Sequence, residues 1–99
     1  MNRNSYRMRL SAAIAKANGV PAQWVTATAV HEKIKGRTVW QGDVETFELV
    51  GHKETKYCYA WMHDVKEGSQ IIMALKTPPV DSAAAAVREY LKTAKPEAK

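Results

Sequence analysis

Two hydrophobic periods divide the chain. From Ser5 to Asn18, apolar and small residues return every three or four positions, and Tyr6, Leu10, Ala13, Ile14 and Ala17 fall on one stripe. That spacing predicts a helix with one buried side. Ser5 suits its N-cap, and Asn18-Gly19 stops it, because glycine accepts the left-handed conformation. Val20 follows, and Pro21 blocks continuation. From Trp24 the period falls to two. In WVTATAVHEKI, threonine and β-branched valine favour a strand. Lys35-Gly36-Arg37 is then a turn, TVWQGDVETFELV a second strand, YCYAWMHD a third, VKEGS a turn and QIIMALK a fourth. Thr77-Pro78-Pro79 ends the sheet, since proline cannot donate to a ladder. Asp81 or Ser82 caps a second helix that runs through about Thr93, with Ala84, Val87 and Leu91 inward and Tyr90 beside them.

The order helix, four antiparallel strands, helix predicts an α+β, αββββα fold built as a two-layer sandwich. Both helices cover one face of the sheet and the other face stays open. The 99 residues make a single small domain, with an ordered core over about 5–93 and a flexible tail over 94–99. Gly42-Asp43 interrupts the second strand, and Val44, Phe47 and Leu49 do not share a parity. A bulge or a sharp bend is therefore expected there. The third strand sets Tyr57, Tyr59, Trp61 and His63 on one face and Cys58, Ala60 and Met62 on the other. Helices approach a sheet closely over small residues, so the aromatic row is expected on the open face. Trp24 and Trp40 extend that row if the registers align.

Composition adds limits. Apolar residues at 45% and charged residues at 25% are ordinary globular values. One cysteine, Cys58, excludes an internal disulfide framework and a cysteine-based zinc site. It reads as a small, inert core residue. No apolar run approaches the ~20 residues of a membrane span. The segment LSAAIAKANG is a poor signal-peptide core, so the expected location is cytoplasmic. The net charge of +5 is uneven. No acid precedes Glu32, and Arg3, Arg7, Arg9 and Lys16 concentrate the excess in the N-terminal third. Such asymmetry points to a polyanion or an acidic partner.

These features predict a small, non-enzymatic, basic binding domain with nucleic acid as its partner. Arg3, Arg7, Arg9 and Lys16 would contact phosphates, and Tyr57, Tyr59 and Trp61, with His63 on the same row, would stack bases. The alternative is a protein-interaction module that homodimerises through the open aromatic face. A third possibility rests on IAKANGVPAQWV, which resembles a DNA-binding helix-turn-helix: Ile14-Ala15 would anchor the first helix, Gly19 the turn, and Trp24 or Val25 the second helix. Double-stranded-RNA-binding domains share a helix, sheet, helix order. Their basic signature would stand at Asp81–Val87, where the chain reads DSAAAAV, so no function is carried over from them. No catalytic residue, cofactor or small-molecule substrate is inferred. His31, His52 and His63 lack zinc-motif spacing, so no metal is expected. Asp43, Glu45 and Glu48 read as a solvated strand edge.

Overall fold

The structure, a computed structural model, describes residues 3–65 and 68–94, and the side chains of 5–63, 68 and 70–92. It contains α1 (Arg3–Asn18), β1 (Ala22–Ile34), β2 (Arg37–Leu49), β3 (Tyr57–Val65), β4 (Gly68–Leu75) and α2 (Ala83–Ala94). The expected αββββα order and the α+β class are therefore present, and the four strands form one antiparallel sheet in the order β1-β2-β3-β4. Gly19, the Lys35-Gly36 pair and Ser82 act where the sequence places them, while residues 66–67 of the expected VKEGS turn lie outside the described residues. Gly19 takes a φ of 72° behind α1, and its N–H donates to the Ala15 carbonyl. Lys35 and Gly36, at φ 51° and 80°, make the tight turn between β1 and β2. Positive φ at both central residues matches the twist of a two-residue hairpin. Ser82 caps α2, its hydroxyl accepting the Ala85 N–H at 3.1 Å. Ser5 lies inside α1, not at its cap, because the helix begins at Arg3. Of the expected flexible tail, Ala94 closes α2, and 95–99 lie outside the described residues.

The helices differ from expectation in placement: they take opposite faces of the sheet. α1 packs Leu10 and Ile14 against Phe47, Leu49, Cys58 and Ala60. α2 packs Ala83, Ala86 and Val87 against Val30, Val44, Tyr59 and Trp61. The parity break in β2 thus has a different cause from a bulge. Val44 faces α2 while Phe47 and Leu49 face α1, and each has a core to enter. Pairing of β1 with β2 runs unbroken through Ala29–Asp43 and Val30–Gly42. The register shifts lie elsewhere, between Trp24 and Thr26 and between Glu32 and Lys33.

Gly42-Asp43 lies instead in the β1–β2 arm, just beyond the point where the sheet forks. β2 pairs with β3 only over Glu45–Glu48 and Tyr57–Ala60. Beyond that point β2 follows β1 alone, and β3 follows β4 alone. A four-stranded base therefore opens into two hairpin arms.

Candidate functional site

Among the described side chains, Arg7 lies on the face of the sheet opposite Tyr59 and Trp61. Arg7 projects from α1, and its Nε donates to Glu45 Oε1 at 3.1 Å. Its guanidinium carbon lies 3.8 Å from the centre of the Trp24 ring, and Trp24 Nε1 donates to the same Glu45 oxygen at 2.7 Å. Arg7 is thus tied into the fold, while Arg9 and Lys16 are exposed. The side chain of Arg3 lies outside the described residues. On the far face, Tyr59 is 6% and Trp61 2% exposed beneath α2. Tyr57 is half-buried with the Lys76 ammonium 5.5 Å from its ring, and His63 is half-buried edge-on to Tyr90 at 6.1 Å.

The expected open aromatic face is therefore corrected. The alanines of α2 lie over Tyr59 and Trp61 and leave room for their rings, so the large side chains are core. Trp40 does join the row, meeting Trp61 in a T-shaped contact at 5.6 Å, whereas Trp24 sits on the opposite face with Arg7. The helix-turn-helix likeness is not realised either, because Ala22–Ile34 is strand. Cys58 is buried, and burial pushes its thiol up to about 11 against a smaller lowering by the Ala74 backbone. It is neutral and unreactive at physiological pH. Burial, then the Asp81 charge, raises the Tyr59 phenol as well.

Two features remain that could meet a partner. The first is the cleft in the fork, of about 330 Å³, lined by residues of both arms and by Tyr6 from α1. Where the β2–β3 ladder ends, the Met62 N–H donates to the Tyr6 hydroxyl at 3.2 Å. Glu45 and Trp61 also line this cleft, and among the described residues two buried side-chain polar atoms lack a hydrogen-bond partner: Glu45 Oε2 and Trp61 Nε1. Glu45, expected at a solvated edge, is fully buried. Its parity with Phe47 is the signal that it enters the α1 core.

The second feature is the outer edge of β1. This 13-residue strand ends the sheet, and most of its side chains are exposed. Trp24 and Val25 are 42% and 44% exposed. From Gln23 to His31 it carries no Asp, Glu, Lys or Arg. Sheet edges are commonly protected by charge, proline or a covering element; here a bulge falls at Val25, and Glu32 and Lys33 stand at the far end of the strand.

Two of the three histidines make local hydrogen bonds. His31 bonds the Thr38 hydroxyl, and His52 Nδ1 accepts the Glu54 and Thr55 N–H groups. Among the described residues no three of His, Cys, Asp and Glu gather as a metal-binding group. No described helix is long and apolar enough to cross a membrane. Comparison with known protein families, with curated proteins and with solved structures finds no match for this chain.

Proposed function

We propose that the chain is a non-enzymatic interaction domain that pairs with a second copy of itself along the outer edge of β1. The observation that carries this is the long, exposed edge, which is uncharged from Gln23 to His31. A second β1 laid antiparallel about a two-fold axis satisfies the free backbone groups of both copies. It covers Val25 and Trp24 and makes one continuous sheet across the dimer. Because the association closes on itself, it removes both β1 edges without building a fibre. This replaces the aromatic face by the strand edge as the surface of self-association. We place the domain in the cytosol, where its single buried thiol stays reduced.

Analytical ultracentrifugation tests the pairing. The parent chain is expected at twice its 11.0 kDa mass, with little dependence on salt. Val25→Lys with Thr28→Lys, both at exposed positions of β1, is expected to give a monomer with an unchanged circular dichroism spectrum, since lysine on an edge opposes strand addition. A parent chain that sediments as a monomer throughout a concentration series contradicts the proposal.

A second reading, binding of nucleic acid, is favoured by exposed cations: Arg9 and Lys16 on α1, and Lys33, Lys35 and Arg37 around the β1–β2 turn. Phosphate contacts alone would carry it, because Tyr59 and Trp61 are covered. Replacing Arg9 and Lys16 by glutamine should weaken oligonucleotide binding and lower the log–log salt slope by about one unit for each phosphate left without its cation. Absence of binding at low salt to both single and double strands removes this reading. Arg7 is unsuitable for the test because its loss disturbs the core.

A further inference from the structure

We infer that the cleft in the fork of the sheet binds a small amine that also carries a hydrogen-bond-accepting oxygen. The two unpartnered buried atoms define the ligand. Glu45 Oε2 is an acceptor and Trp61 Nε1–H is a donor. Both side chains line the one cleft, although they belong to opposite faces of the sheet. The splaying of β2 from β3 after Glu45 and Ala60 brings both residues to one cleft, with the two polar atoms themselves buried in its walls. A buried polar atom without a partner is costly, and few occur in a native structure. A guest with one donor and one acceptor removes both costs together.

The lining selects the charge of that guest. It contains the carboxylates of Asp43 and Glu45 and no lysine or arginine. Arg7 neutralises Glu45 from outside the cleft, and it uses Oε1, so Oε2 keeps a free acceptor position. Among the described lining residues, an anion would meet the carboxylates of Asp43 and Glu45 and, apart from His63, no basic side chain. An ammonium group meets charge-assisted acceptors and the aromatic walls of Tyr6 and Trp40, which favour a cation over the ring face. Arg7 over Trp24 already shows a cation seated on an indole beside Glu45. The oxygen of the guest then accepts from Trp61.

Gly42 holds one wall in place. A Cβ there would lie 3.2 Å from the Trp40 ring edge, so the indole lies directly against the glycine. This explains the interruption of alternation in β2: the residue is small because Trp40 covers it.

A ligand series followed through the indole N–H proton resonances tests the inference. Aminobutanol, with both groups, is expected to shift the Trp61 resonance saturably. Butylamine, which lacks the oxygen, should bind at least about tenfold more weakly. Butanediol, which lacks the cation, should give no saturable shift. Glu45→Gln is expected to weaken aminobutanol at least about tenfold. If that variant fails to fold, the series on the unaltered chain still decides. Butanediol binding as well as aminobutanol, a Trp61 resonance that does not move, or a folded Glu45→Gln chain with undiminished affinity each overturns the assignment. None of these outcomes depends on pairing along β1.

Discussion

Trp61→Ala is expected to destabilise the domain by about 3–5 kcal/mol, the usual cost of emptying a large aromatic site. Trp61 is 2% exposed and stands where β3, β2 and α2 converge. Its ring meets Trp40 edge-to-face at 5.6 Å and Tyr90 at 5.5 Å, and such pairs add about 0.5–1.5 kcal/mol beyond burial. The cavity left between sheet and helix is bordered by Tyr90 of α2 and Trp40 of β2, whose rings both lose their edge contact. A chain of this size has roughly 5–15 kcal/mol of stability in all, so the variant is expected to be at or near unfolding at body temperature. Trp24→Ala provides the contrast, since that ring is 42% exposed. Urea denaturation of both variants, each made in the Val25→Lys, Thr28→Lys chain that is expected to be a monomer, measures the difference. A loss of under about 1 kcal/mol for Trp61→Ala, against the usual cost of such a cavity, would mean that α2 does not cover this face.

The elements are legible because each boundary has a local cause. Gly19, the Lys35-Gly36 pair and Thr77-Pro78-Pro79 act on their own neighbours, so their effect can be read without knowing the fold. Which face of the sheet is covered has no such local cause. Alternation in β3 tells that Tyr59 and Trp61 share a side and that Cys58 and Ala60 share the other; it does not tell what lies above either. The stronger clue is that both sets are apolar. A strand apolar on both faces belongs in the middle of a sandwich, and the mixed parity of Val44, Phe47 and Leu49 carries the same message. The inference from helix approach fails because alanines on a helix can make room for rings as readily as they can lie over small residues. The candidate site is less legible still. Its parts come from α1, β2 and β3, and the fork depends on where pairing ends, which the interruption at Gly42 indicates but does not locate. Glu45 stands on the parity of Phe47, yet its partner Arg7 is 38 residues away in sequence. No local pattern joins the two.

Arg7→Met is expected to cost about 3–5 kcal/mol, more than the reverse truncation Glu45→Leu. The asymmetry follows from burial. The Glu45 side chain is fully buried while that of Arg7 is 22% exposed. Removing Arg7 leaves a carboxylate inside the α1 core, with Trp24 Nε1 still donating to it, and an uncompensated buried charge carries that penalty. Removing Glu45 leaves Arg7 free to turn towards water, and Trp24, half out of the core, can expose its N–H. Methionine keeps most of the apolar stem that lies along Trp24, so the destabilisation reports charge and not packing. The double variant Arg7→Met, Glu45→Leu is therefore expected to recover most of the stability that Arg7→Met alone removes, because no charge then stays buried. A thermodynamic cycle over the four chains gives the coupling directly. Strictly additive costs, or an Arg7→Met chain within about 0.5 kcal/mol of the parent, would show that Glu45 is not held by Arg7 in solution. In that event the free oxygen of Glu45 would no longer identify the fork as a cation site, and the role of Arg7 would return to the exposed surface of α1.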